Sequence, residues 1–162
     1  MLVWTTTSFI SEDEPQGPTI SIGEALPQFS VEMNDGSIVS TSSLKGKSGA
    51  IVFFNTGCGD CRKELPEIQK LWAYYRADPS VEIVVIAREE SEEEIQEYWS
   101  ENGLTMPYSP QDTREVYSLF APSVIPRIYV FNPAGIVTAA YGDTDMPSFD
   151  TLKADIESAA NQ

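Results

Sequence analysis

The chain has 162 residues, enough for one domain with a substantial core, and 41% of them are apolar, which excludes a disordered chain. Its 25 acidic against 10 basic side chains leave a formal net charge of −15, which argues against nucleic acid and anionic membranes as partners. Histidine is absent and only two cysteines are present, so the commonest general base is missing and a zinc site of four cysteines, or of two cysteines and two histidines, is impossible within one chain.

Residues 1–18 are Thr/Ser-rich, then acidic, then Pro/Gly-containing, and read as a flexible N-terminal arm, although Leu2-Val3-Trp4 and Phe9-Ile10 have the character to dock. This stretch holds no Lys or Arg and no long apolar run, so no signal peptide is visible and the chain is expected to be cytosolic, or a mature or trimmed form. No stretch is apolar enough to span a membrane. Residues 19–162 are expected to form one domain.

Phe29 to Met33 alternates like a half-buried strand, Asn34-Asp35-Gly36 is a turn signal, and Ser37-Ile38-Val39 is the return strand. Ser42 to Gly46 reads as a short helical turn ended by glycine. Ile51-Val52-Phe53-Phe54 reads as a buried strand, followed by the turn Asn55-Thr56-Gly57 and then Cys58-Gly59-Asp60-Cys61 at the start of an amphipathic helix. A C-x-x-C pair between strand and helix is a redox signature. The helix start offers unpaired N–H groups and the positive end of the dipole to the first sulfur, which favours the attacking thiolate. The second cysteine lies one turn on, placed to close a disulfide and release a mixed-disulfide partner.

The helical repeat puts Cys61, Leu65, Ile68, Leu71, Trp72 and Tyr75 on the inward face. Glu64 falls between Ile68 and Leu71 and is expected to face inward as well. Burial should raise its pKa and suit it to general-base work beside Cys61. Pro66 should kink the helix if it lies beyond the first turn.

Ala77 to Ser80 breaks that helix, and Val81 to Ala87 is a β-branched run of the kind found in strands covered on both faces. Ser91-Glu92-Glu93-Glu94 has the form of a capping box. The helix it opens should turn Ile95, Tyr98 and Trp99 inward and stop before Gly103. Glu89, Glu90, Glu92, Glu93, Glu94, Glu97 and Glu101 are expected to form a solvated face. Asp112 to Glu115 starts a further short helix with Val116, Tyr117 and Phe120 inside. Ile125-Pro126 precedes the strand Ile128 to Phe131, Asn132 to Gly135 turns the chain, and Ile136 to Tyr141 returns antiparallel. Pro147 suits a helix first turn, and Phe149, Leu152, Ile156 and Ala159 form one apolar stripe. Trp72, Trp99 and the tyrosines are expected in the core. The sum is an α/β fold: a βαβ unit joined to a ββα unit, with a mixed central sheet flanked by helices and an N-terminal β-hairpin extension.

With these motifs in place, the sequence resembles the thioredoxin fold and, more narrowly, the TlpA/ResA-type thiol–disulfide oxidoreductases, from about Ile22 to Ala160. The resemblance rests on Asp35 to Val39 leading to Leu44-Lys45-Gly46-Lys47, on Cys58-x-x-Cys61, on Glu64-Leu65-Pro66, and on Ile125-Pro126 before a strand. It implies Cys58 as nucleophile, Cys61 as resolving thiol and Glu64 as the buried acid near the pair. It further implies a cis Pro126 packed against the disulfide, with Ile125 offering its backbone to an extended partner. Gly57, Gly59 and Asp60, with Ile125 and Pro126, are the candidate partner-binding residues. The only redox group expected is the Cys58–Cys61 disulfide, with no metal or other cofactor. The partners implied are protein thiols or disulfides and an upstream electron donor, met by a monomer in an extracytoplasmic setting.

Two departures stand out. The family usually carries an aromatic residue shortly before the first cysteine, whereas Gly57 stands directly before Cys58. It often has proline at the third motif position, whereas Asp60 here opposes thiolate formation at Cys58. Two rival readings remain: a thioredoxin-like binding module with non-cycling cysteines, and a peroxiredoxin-type peroxidase. The latter's Pro-x-x-x-Thr-x-x-Cys pattern needs threonine where Asn55 stands.

Overall fold

A computed structural model describes residues 19–162. The arm expected over 1–18 lies outside the described residues.

The sheet is built around β3 (Ser48–Phe54), which is buried along its whole length. It pairs in parallel with β4 (Val81–Ala87) and antiparallel with β5 (Arg127–Phe131). β6 (Val137–Tyr141) extends β5 antiparallel, giving the order β4-β3-β5-β6. The hairpin β1 (Ser30–Glu32) and β2 (Ile38–Ser40) forms a separate two-stranded sheet, and a 3₁₀ turn over Ser42–Leu44 follows it.

Both faces of the main sheet are covered, which is why its strands read as continuous apolar runs. Successive β3 side chains point to opposite faces. Ala50, Val52 and Phe54 join the core formed with α1 (Gly59–Tyr75), α2 (Glu92–Asn102) and α4 (Phe149–Ala160). Ile51 and Phe53 join the core formed with Phe29, Val31 and Met33 of the hairpin region, and with Tyr117 of α3 (Glu115–Ser118) and Phe120 after it. Cys61 belongs to the first of these cores, on the inward face of α1 with Leu65, Ile68, Leu71 and Tyr75.

β3 begins earlier than its apolar run, at Ser48, because Gly49 pairs with Glu82 on one side and Phe131 on the other. A Cβ built on Gly49 would lie 1.8 Å from the Glu82 carbonyl oxygen, so only glycine allows the parallel strands to close there. Gly49→Ala should therefore cost about 1–3 kcal/mol through forced displacement of β4. Urea unfolding tests this, and an unchanged midpoint would contradict it.

The capping box at Ser91 forms, with Glu94 as its partner, and Gly103 ends α2 in the left-handed conformation at φ +66°. Pro66 lies inside α1, which continues through it to Tyr75. Three expectations need correction. Pro147 precedes the N-cap of α4 and is not in its first turn, because the Ser148 side chain accepts the Thr151 N–H and sets the start. Tyr74 is 55% exposed because it projects from the outer side of α1. The glutamate run is solvated except at Glu90, which is 4% exposed.

Candidate active site

β3 ends at Phe54, and the loop Asn55 to Gly57 delivers the chain to Cys58, the N-cap of α1. The Cys58 sulfur accepts the Cys61 backbone N–H at 3.2 Å, so it satisfies one of the helix's open donors. Cys58 is half-buried, Cys61 is fully buried, and the two thiols are unbridged. The Cys58 thiol also donates to the Ile125 carbonyl at 3.7 Å, joining the helix start to a loop 67 residues further along. The Ile125–Pro126 peptide bond is cis and Pro126 is buried. The structure thus brings Cys58, Cys61 and Ile125 together at one end of the sheet. Gly57 and Gly59 are exposed beside Cys58, and Asp60 is half-buried in the first turn.

Two groups behind the exposed sulfur hold their protons tightly. Burial pushes the Cys61 thiol up, and its hydrogen bond with Cys58 adds to this, while the Asn55 backbone and the Arg88 charge act against it. Glu64 is 3% exposed. Burial, with a smaller push from Glu67, raises its carboxyl to about 8. Its Oε2 has no hydrogen-bond partner among the described residues. An isolated buried carboxylate is costly, so the group carries a proton through much of the neutral range.

The sequence reading missed what holds the loop in front of Cys58. Both oxygens of the buried Glu90 carboxylate are used by Thr56, one accepting its N–H at 2.7 Å and the other its hydroxyl. The Asn55 side-chain amide donates to the Arg88 carbonyl at 2.9 Å, and the Arg62 Nε donates to the Thr56 carbonyl at 2.5 Å. The Arg88 N–H, just beyond β4, donates to the Phe54 carbonyl at 2.8 Å. Residues 88–90 therefore clamp residues 54–56. The available signal was position: Glu90 follows a buried strand that runs parallel to β3, so it emerges beside the loop leaving β3. Glu90→Ala strips the acceptor from two buried Thr56 donors and should cost about 1–3 kcal/mol. Denaturant titration reads this, and an unaltered free energy of unfolding would disprove the clamp.

The fold and the close cysteine pair at the helix start define the class: this is a thioredoxin-fold thiol–disulfide oxidoreductase. The chain belongs to the AhpC/TSA family, whose model matches residues 22–140. It is 30% identical over 132 residues to thiol-disulfide oxidoreductase ResA of Oceanobacillus iheyensis, covering 79% of this chain and 68% of that protein. Among solved structures it is similar to a candidate protein disulfide isomerase from Bacteroides thetaiotaomicron, with TM-score 0.82 and 26% identity over 92% of this chain and 96% of that one. It is also similar to a thiol:disulfide interchange protein of the thioredoxin family from Chlorobium tepidum, with TM-score 0.72 and 25% identity over 87% of this chain and 99% of that one. The expected fold, activity and TlpA/ResA-like type are borne out, and protein thiols or disulfides are its class of partner. The position where a peroxidatic pattern needs threonine is occupied by Asn55, whose side chain shapes the loop: its Oδ1 accepts the Gly57 N–H at 2.7 Å. Among the described residues no helix is long and apolar enough to cross a membrane.

Proposed function

We propose that Cys58 is the nucleophile, Cys61 the resolving thiol and Glu64 the proton carrier in reduction or exchange of partner-protein disulfides. The Cys58 thiolate attacks a partner sulfur, a mixed disulfide forms, and the first partner thiolate leaves. The Glu64 carboxylate then takes the Cys61 proton. The Cys61 thiolate attacks the Cys58 sulfur, and the second partner thiolate departs, recovering a proton. The products are a partner dithiol and a Cys58–Cys61 disulfide, which an upstream electron donor returns to the dithiol. The observation that carries this reading is the division of the pair: a half-exposed Cys58 capping a helix against a buried, proton-retaining Cys61.

An extended partner segment would lie against Gly57, Gly59, Asp60 and the Ile125–Pro126 loop. All of these residues come from one chain, so a monomer suffices. The resemblance to the TlpA/ResA type supports an extracytoplasmic site over a cytoplasmic one.

Insulin reduction tests the activity. With dithiothreitol as electron donor, catalytic amounts of the protein should accelerate precipitation of the insulin B chain, and hydrogen peroxide should not be consumed at a comparable rate. Peroxide consumption without insulin reduction would favour a peroxidase, and inertness in both assays would favour a binding module.

A further inference from the structure

Glu64 and Glu67 stand three residues apart on α1, a spacing that makes their side chains neighbours on the helix surface. Their surroundings are opposite. Glu64 is buried, and its Oε2 has no hydrogen-bond partner among the described residues. Glu67 is half-buried, and both of its oxygens are held. Its Oε1 accepts the Phe149 N–H at 2.8 Å, and its Oε2 pairs with Lys70 at 3.1 Å. Phe149 is the first residue of α4, so the Glu67 carboxylate sits at the positive end of that helix. The Phe149 N–H, with the Lys70 ammonium, holds the Glu67 carboxyl below its ordinary value. Glu67 therefore stays charged wherever Glu64 exchanges its proton.

The other charges near this face of α1 are engaged elsewhere or exposed. Asp60, one turn before Glu64, lies in the first turn of the helix beside Cys58. β4 packs against α1, and its one charged side chain, Glu82, pairs with Lys47 at 3.2 Å. On α4, Lys153 pairs with Glu157 at 3.1 Å, Asp155 accepts the Tyr141 hydroxyl, and Asp150 is exposed. Glu67 alone adds to burial in raising Glu64.

We infer that Glu67 is a positioning residue for proton transfer: its held negative charge sets how tightly Glu64 keeps the proton taken from Cys61. The inference rests on the exchange reading above. In that step the Cys61 S–H bond breaks, the Glu64 carboxylate gains the proton, and the freed thiolate attacks the Cys58 sulfur. A charge that strengthens Glu64 as a base narrows the gap to the Cys61 thiol.

Two readouts on the full-length protein test this. The reduced protein, labelled with ¹³C at its glutamate carboxyl carbons, is titrated by NMR, and the Glu64 signal is identified by its loss in Glu64→Gln. Decay of the mixed disulfide formed with a peptide disulfide is followed by stopped flow on both sides of pH 8, about where the Glu64 carboxyl titrates. Glu67→Gln removes the charge but keeps an acceptor for the Phe149 N–H. It should lower the Glu64 midpoint by about 0.5 pH unit, the scale of one like charge a turn away near the surface. The pH at which decay quickens should fall by the same amount. Glu67→Ala also removes the acceptor, so its thermal midpoint should drop further, but its Glu64 titration should shift equally. An unmoved Glu64 midpoint in Glu67→Gln, or a shift confined to Glu67→Ala, would overturn the inference and leave exchange intact. A shifted carboxyl with unaltered decay would overturn both the inference and the role of Glu64 as proton carrier.

Discussion

Cys61→Ala is expected to convert the protein from a catalyst into a trap. Cys58 remains half-exposed at the helix start, so attack on a partner disulfide still proceeds. The group that would break the resulting mixed disulfide is gone, so turnover should fall to background while a covalent adduct accumulates at Cys58. Cys58→Ala should also lose turnover, but with no adduct, because Cys61 is fully buried on the inward face of α1. Iodoacetamide should follow the same division in the wild type, labelling Cys58 much faster than Cys61 after reduction. Non-reducing gels and peptide mapping distinguish the two variants. An adduct on Cys61, or equal trapping by both, would reverse the assigned roles.

Glu64→Gln is expected to slow partner release by about 10²-fold, in the range of general acid–base effects, while leaving the fold and Cys58 alkylation unchanged. In the wild type the release step should quicken as pH rises towards about 8, where Glu64 loses its proton and can accept that of Cys61. In the Gln variant that rise should be absent and the mixed disulfide should persist. Stability supplies a second readout. Glu64 has a folded-state pKa raised to about 8 from an ordinary 4.5, so between those limits the folded protein binds a proton that the unfolded chain does not. Stability should therefore fall with rising pH across that window, by up to about 1.4 kcal/mol per pH unit, and level off above it. Glu64→Gln should remove this slope. Wild-type release kinetics in the variant would reduce Glu64 to a packing residue.

What could be read from the sequence was what one segment determines alone. The redox pair needs only a strand, a turn and a helix start, all local. Glu64 faces inward because the helical repeat of its neighbours leaves it no outer position, and the structure buries it. Ile125-Pro126 could be named only through the resemblance, which implies a cis bond there, and the bond is cis. What escaped depends on contacts between distant segments. Glu90 stands in a run of glutamates that looks solvated, and only the parallel pairing of β3 and β4 brings it to Thr56. Gly49 matters because of the Glu82 carbonyl on the next strand, which has no local signature.

The cycling of the pair is tested most directly by equilibrating the protein in a graded series of reduced and oxidised dithiothreitol or glutathione buffers. Free thiols are then labelled with a mass-shifting maleimide. A working Cys58/Cys61 couple gives one reversible two-electron transition, with both cysteines gaining or losing the label together and no dimer formed. A pair that keeps both labels across the whole series, or that forms only intermolecular disulfides, would contradict thiol–disulfide exchange at this site.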